Sequence, residues 1–343
     1  VSATRALPQV CVISLGGTIA SARPLGEDAG SGVVPRLDAS DLVAGISEHL
    51  GAVDVESVDF RQVPGGDLTL DDIVALSHEI GQRLHDGATG IVVTQGTDTI
   101  EETSFALDLL LGERTIVVTG AMRPAAAAGR DGPANLLAAI SVAASDHVGL
   151  GTVVVINDEI HAARFVRKSH TSSPATFRSP ASGPLGIVVE GRALVRTRPP
   201  RLSGRPGAGV RAVPPVALVE CAIGDDPRLL HAVADLGYEG VVVAAFGAGH
   251  VPQSHVAVLA DLATRMPVVL ASRTGDGEIL RSTYGFPGSE SDLLARGLIA
   301  AGSLDARKAR VLVSLHLAAN AELESIRGAF DKLDRSMSGV GDG

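Results

Sequence analysis

The sequence predicts an α/β protein of two domains, each a mostly parallel sheet flanked by helices, with the larger domain N-terminal. Three observations predict it. Short Val- and Ile-rich runs recur without polar alternation, as strands buried on both faces require. Longer Ala/Leu segments of helical period separate them, and strand–helix–strand alternation makes a parallel sheet. At 343 residues the chain also exceeds the size at which one hydrophobic core usually keeps growing.

In chain order, residues 10–15, 91–94, 115–119 and 152–156 read as buried strands. Residues 71–84, 100–111 and 133–145 read as helices, the last opened by Asp131-Gly-Pro, an N-cap followed by proline in the first turn. Thr99 and Glu102 fit the spacing of a capping box at the head of the second. From Arg192 to Pro215 the texture changes to Arg, Pro and Gly, a solvated connection without aromatics. Beyond it, strands at 216–221, 241–245 and 268–272 alternate with helices at 227–236 and 254–265, and helices at 305–318 and 321–332 close the chain. The expected division is 1–191, a connection over 192–215, and 216–343, each domain flavodoxin- or Rossmann-like.

Composition excludes several functions. A net charge of −10 with no long block of one sign repels a phosphate backbone, so no nucleic-acid partner is expected. No apolar run reaches the length of a membrane span. Cys11 and Cys221 lie in apolar runs far apart and read as buried small hydrophobes rather than a disulfide framework. The 10 histidines form no metal-binding helix pattern, so neither a metal nor another cofactor is expected. Gly247-Ala248-Gly249 lacks the third glycine and the helix register of a dinucleotide site. The first residues lack the apolar core of a signal peptide, and the chain starts at Val1 rather than Met. A cytoplasmic location is expected, with a periplasmic or secreted one open if a leader has been removed.

In open parallel sheets, ligands bind beyond the carboxyl ends of the strands. After the first strand comes Gly16-Gly17-Thr18, by itself an ordinary turn. After the second comes Gln95-Gly96-Thr97-Asp98, in which Thr97 and Asp98 precede the helix cap and are not explained by it. Two strand ends carrying Gly-Thr in one sheet place two hydroxyls and a carboxylate around one crevice. A threonine hydroxyl is a poor nucleophile until a base takes its proton. Lys168, in the basic stretch 164–170, is the candidate base, though by itself it reads as a surface lysine.

With these residues laid out, the sequence resembles the bacterial L-asparaginases of the type II branch. The resemblance rests on Leu15-Gly-Gly-Thr-Ile-Ala20, Gln95-Gly-Thr-Asp-Thr-Ile-Glu-Glu-Thr103, Gly120-Ala-Met-Arg-Pro124 and Asp131-Gly-Pro-Ala-Asn-Leu136. It continues through Asn157-Asp158, Lys168 and Ala306-Arg-Lys-Ala-Arg-Val311, in order and over nearly the whole chain. What it implies is hydrolysis of the side-chain amide of L-asparagine to L-aspartate and ammonia. Thr18 is then the nucleophile, and Thr97, Asp98 and Lys168 form a second catalytic group. Gly65, Gly66 and Asp67 hold the substrate backbone, and the Ala121 carbonyl lies near the amide nitrogen. Glu290, contributed by a neighbouring subunit, completes the site. A homodimer or homotetramer with shared sites is implied.

Three positions depart from the family pattern. No tyrosine occurs in Ser21–Pro35, where Gly32 or Val33 takes the place of the family's mobile tyrosine. That stretch, rich in Gly with little apolar anchoring, has the composition of a mobile cover. Gly65-Gly66 replaces a Ser-Gln pair, and Ala248 replaces an asparagine. A thinner grip on the substrate backbone leaves open a broader amidase, acting on glutamine or D-asparagine, and an amino-acid-binding protein of weak or no catalysis. An amidotransferase subunit acting on misacylated tRNA shares the Gly-Thr-Asp-Thr signature, but the acidic charge opposes it.

Overall fold

The computed structural model describes residues 7–22, 32–147, 149–210 and 212–337. The chain separates into two compact units, Val1–Pro199 and Pro200–Gly343. In the N-terminal unit the strands are β1 (Gln9–Gly16), β2 (Asp54–Val63), β3 (Gly90–Thr94), β4 (Ile116–Thr119), β5 (Thr152–Ile156), β6 (Glu159–Ala162), β7 (Gly186–Val189) and β8 (Arg192–Val195). They form one sheet in the order β8-β7-β6-β5-β4-β3-β1-β2. From β2 through β5 neighbouring strands are parallel, and β6 to β8 add an antiparallel tail.

The parallel centre is buried on both faces, as its uninterrupted Val and Ile content dictates. Helix α1 (Ala39–Ala44) opens with a capping box between Asp38 and Asp41. Val10, Val12, Val92, Val117, Val153 and Val155 pack beneath α4 (Gly132–Ala143) through Leu136, Ala139 and Ile140. The alternate residues, including Cys11, Ile13, Ile91, Val93 and Val118, are equally buried and point the other way. On that side lie α2 (Leu70–His85) and α3 (Ile100–Leu111), which contact each other and strands β3 to β5. Helix α2 buries Ile73, Leu76, Ser77 and Ile80, one stripe at helical spacing, and begins with a capping box between Thr69 and Asp72.

Three details differ from the sequence expectation. Strand β2 was not expected; its polar edge-strand sequence, half of it exposed, carries no buried-run signal. Arg192–Val195, expected at the head of the connection, is the edge strand β8 instead. Its turn, Glu190-Gly191, has φ of 50° and 68°, which closes a two-residue hairpin from Val189 to Arg192. The capping box of Thr99 does not form, because no side chain caps α3 at that residue.

The smaller unit has a four-stranded parallel sheet, β9 (Val216–Glu220), β10 (Gly240–Ala245), β11 (Val268–Ser272) and β12 (Ile299–Ala300), in that order. Its helices are α5 (Arg228–Val233), α6 (Val256–Ala263), α7 (Glu290–Ala295), α8 (Ala306–Ala318) and α9 (Leu323–Met337). Leu230, Val243, Leu259, Leu262, Leu270 and Leu293 belong to one buried cluster. Asp305 caps α8 by accepting the backbone N–H groups of Arg307 and Lys308. Both cysteines are free and buried, and burial pushes each thiol up to about 11, so neither is a thiolate at neutral pH. Among the described residues no helix is long and apolar enough to cross a membrane.

One buried ion pair ties the large unit together. Arg164, after β6, places Nη2 3.0 Å from Asp108 Oδ2 on α3. Asp108 Oδ1 accepts the Thr152 N–H at 2.9 Å, so the same carboxylate also holds the start of β5. Removing one member of a buried pair leaves the other charge poorly compensated. Asp108→Ala is expected to lower the unfolding free energy by about 3–5 kcal/mol, measured by urea denaturation. An unchanged denaturation midpoint would remove this pair from the account of stability.

Candidate active site

The carboxyl ends of β1 and β3 run straight into turns, and a third turn follows β2. Their backbones touch. A Cβ built on Gly17 would lie 2.0 Å from the Gly96 backbone nitrogen, and one on Gly96 would lie 2.8 Å from that of Gly65. Gly17 also has φ of 78°, outside the ordinary range of L-residues with side chains. Only glycine at these contacts lets three strand ends converge. The adjoining residues, Thr18 on the first turn, Thr97 on the second and Gly66-Asp67 on the third, are thereby gathered at one edge of the sheet. The Gly17 N–H donates to the Val63 carbonyl at 3.1 Å. The Thr99 hydroxyl donates to the Gly65 carbonyl at 2.9 Å. Thr99 therefore joins two turns rather than capping its helix.

Thr97 is buried and Thr18 half-buried. Lys168 Nζ donates to Thr97 Oγ1 at 2.9 Å and to Asp98 Oδ1 at 2.6 Å. The lysine side chain is 13% exposed and Asp98 77%, so the group spans the boundary between protein and solvent. Lys168 reaches this place from a two-residue ribbon in which it pairs with Phe177. The intervening loop is braced by the Ser169 N–H on the Thr176 carbonyl and by the Thr176 hydroxyl on the His170 carbonyl. Its sequence reads as a basic surface loop, yet in the structure the lysine side chain is mostly buried and bonded to Thr97 and Asp98.

Ala121 is fully buried. Its turn is held by Asp131, whose carboxylate accepts the N–H groups of Met122 and Arg123, each at 2.9 Å. Asp131 precedes α4 without capping it by a side-chain bond, so its carboxylate works backwards onto the turn. Asn135 donates to the Gly120 carbonyl at 2.9 Å and accepts the Asn157 N–H at 2.9 Å, tying this turn to the β5–β6 hairpin. In the sequence Asp131 and Asn135 stand at the head of a helix and within a stretch shared with the family, but nothing there shows that they brace this turn. A cavity of about 150 Å³ lies beneath Ile19, Leu37, Leu42 and Ala121. Neither Thr18 nor Thr97 lines it, although Ala121 does.

Ser21–Ala22 pairs with Val34–Pro35 in a small antiparallel ribbon, and the Ser21 hydroxyl donates to the Gly17 carbonyl at 2.8 Å. Gly32 and Val33 are exposed. Residues 23–31, most of the stretch read as a cover, lie outside the described residues. Glu290 stands in the other unit, at the start of α7, and is fully buried. Burial pushes its carboxyl up, but the N–H groups of Tyr284, of Glu290 itself and of Thr283, with His250 beside it, hold it below the ordinary value. Among the described residues no cluster of three or more His, Cys, Asp or Glu is arranged to hold a metal.

Two family models match this chain: Asparaginase, N-terminal, over residues 9–201, and Glutaminase/Asparaginase C-terminal domain, over residues 215–330. Together they define the class, a two-domain asparaginase/glutaminase architecture. A probable L-asparaginase of Deinococcus radiodurans is 36% identical, over 94% of this chain and 97% of that protein. L-asparaginase 2 of Escherichia coli is 31% identical, over 96% and 94%. The crystal structure of a probable cytoplasmic L-asparaginase from Campylobacter jejuni superposes with a TM-score of 0.83 at 28% identity, covering 95% of this chain and 99% of that one. The chain belongs to the asparaginase family.

The glycine contacts have a direct test. Gly17→Ala adds a methyl against the Gly96 backbone at a positive φ. It is expected to cost about 2–3 kcal/mol of stability in thermal or urea unfolding. A variant as stable as wild type would show that the two turns are not packed backbone to backbone.

Proposed function

We propose that this chain hydrolyses the side-chain amide of L-asparagine, giving L-aspartate and ammonia through an ester on Thr18. The observation that carries the reading is the bonded Lys168–Thr97–Asp98 group, seated at the turn that packs on the Thr18 turn. In the first step the Thr18 hydroxyl oxygen attacks the amide carbon and gives up its proton. Negative charge gathers on the former carbonyl oxygen, where backbone N–H groups of the two Gly-Thr turns are the available donors. One such donor often supplies about 3 kcal/mol. The C–N bond then breaks, and the nitrogen leaves as ammonia with the proton that Thr18 lost. The Ala121 carbonyl accepts from that nitrogen.

Water attacks the resulting ester, the bond to Thr18 breaks, and Thr18 regains a proton. Thr97 is suited to orient and deprotonate that water. Thr97 passes its own hydroxyl proton to the leaving Thr18 oxygen as it takes one from the water, and Lys168, which donates to Thr97 Oγ1, stabilises the charge on that oxygen during the relay. Asp98 keeps the lysine in place and presents its exposed face to the substrate's α-ammonium. The N–H groups of Gly65 and Gly66 take the α-carboxylate, with Asp67 beside them. The chain acts as a homodimer or homotetramer, in which Glu290 of one copy completes the site of another.

A second reading has its own support. A Cβ on Gly66 would meet nothing within 4 Å, so the turn holds open space where a side chain would otherwise narrow the site. That favours a wider range of amides, glutamine and D-asparagine among them. Turnover of all three amides by one preparation separates the readings. An asparagine rate far above the other two supports the narrower one.

Ammonia release from L-asparagine tests the assignment. Thr18→Ala and Thr97→Val are each expected to lower kcat by at least about 10⁴-fold. Lys168→Met is expected to lose about 10²–10³-fold. Full activity in Thr18→Ala sinks the nucleophile. A wild type that binds asparagine yet releases no ammonia above background leaves an amino-acid-binding protein. Mixing Glu290→Ala with Thr18→Ala should restore part of the activity that each lacks. No recovery after verified subunit exchange would rule out shared sites.

A further inference from the structure

Gln95 and Thr99 flank the Gly96-Thr97-Asp98 turn, and no step of the proposed reaction uses either side chain. Gln95 has no exposed surface. Its Nε2 donates to the Gly96 carbonyl and to Thr99 Oγ1, each at 3.3 Å, while Oε1 has no partner among the described residues. Exchanging the amide oxygen and nitrogen would set an acceptor against the Gly96 carbonyl, so the surroundings fix which end is nitrogen. A hydroxyl carries one proton to give and can accept as well. Thr99 Oγ1 accepts from Gln95, and its own proton goes to the Gly65 carbonyl at 2.9 Å. Within its own turn that carbonyl is reached only by the Leu68 N–H, at 3.4 Å. The threonine makes the shorter bond and is the stronger hold.

What that hold controls follows from the planarity of the peptide unit. No peptide bond among the described residues is cis. In a trans unit the carbonyl of one residue and the N–H of the next share a plane and point in opposite directions. Holding the Gly65 carbonyl toward Thr99 therefore aims the Gly66 N–H the other way. Gly65 itself is buried, and a Cβ built on it would lie 3.0 Å from the Gly96 carbonyl oxygen, so the unit has a packed end and an open one. At the open end the Gly66 N–H has no acceptor among the described residues. Gly66 is exposed, and a Cβ built on it would meet nothing within 4 Å, which leaves room for a ligand group beside this residue.

We propose that Thr99, oriented by Gln95, is a positioning residue for the substrate: it sets the plane of the Gly65–Gly66 peptide and so aims the Gly66 N–H at the substrate's α-carboxylate. With glycine at both positions the turn has no side chain to grip that carboxylate, and the direction of the backbone donor matters the more. The α-carboxylate keeps its charge throughout hydrolysis of the side-chain amide. A bond to it is therefore as strong in the ground state as in the transition state, and its loss raises KM while sparing kcat. The inference rests on the reading above that Gly65 and Gly66 take the α-carboxylate.

The test is steady-state ammonia release from L-asparagine by wild type, Thr99→Val, Thr99→Ser and Gly66→Pro. Valine nearly keeps the shape and removes the hydroxyl, so Thr99→Val is expected to raise KM about ten-fold, with kcat within about three-fold of wild type. Serine restores the hydroxyl, and Thr99→Ser should keep KM within about two-fold. A Thr99→Val KM within about two-fold of wild type overturns the proposal, and so does a rise of about ten-fold in Thr99→Ser. A fall in kcat as large as the rise in KM also overturns it, because a merely structural role would act on both. Should Thr99→Val fail to fold, Thr99→Ala carries the same expectation and is judged by the same outcomes. Gly66→Pro removes the N–H itself. Folded Gly66→Pro with a wild-type KM sinks the placement of the α-carboxylate and the inference with it, whereas a KM raised in Gly66→Pro but not in Thr99→Val sinks the inference alone.

Discussion

The candidate site depends on the absence of side chains at three backbone positions. Gly17, Gly65 and Gly96 come from turns after three different strands and meet backbone to backbone. A methyl at any of these contacts would hold two strand ends apart by more than a close-packed interior tolerates. Everything polar in the site hangs on that convergence, because each glycine is followed within two residues by a group the proposed chemistry uses. The arrangement also explains why a parallel sheet serves here. Parallel strands bring their carboxyl ends to one edge, so the turns need only be small enough to touch.

Much of this was legible in the sequence, for a physical reason. Strands β1, β3, β4 and β5 are buried on both faces, so their apolar runs carry no competing signal, and the turns that follow them are read at once. Strand β2 was not legible, because an edge strand half open to water mixes polar and apolar residues without a clear period. The antiparallel tail was lost similarly, its strands being only four residues each. Thr97 and Asp98 stood out because a helix cap did not account for them. Thr99 seemed accounted for, yet its hydroxyl serves the neighbouring turn, a long-range contact that spacing along the chain does not reveal.

Other residues were visible as letters but not as structure. Lys168 looks like a surface residue until its side chain is seen bonded to Thr97 and Asp98. Asp131 reads as a helix cap, while its carboxylate braces the Ala121 turn instead. Titratable groups gain their roles from partners distant in sequence, which is why the fold was easier to read than the site.

The buried pair of Asp108 and Arg164 bears on reactivity as well as on cohesion. Asp108 lies on the helix that begins just beyond Asp98, and Arg164 lies four residues before Lys168. The pair therefore bolts the segment that carries Thr97 to the segment that carries its lysine. The spacing between those two groups is set at a point neither of them touches, inside the core and out of reach of solvent. The segments that carry the proposed catalytic group are thus fastened to each other within the core, behind the group itself.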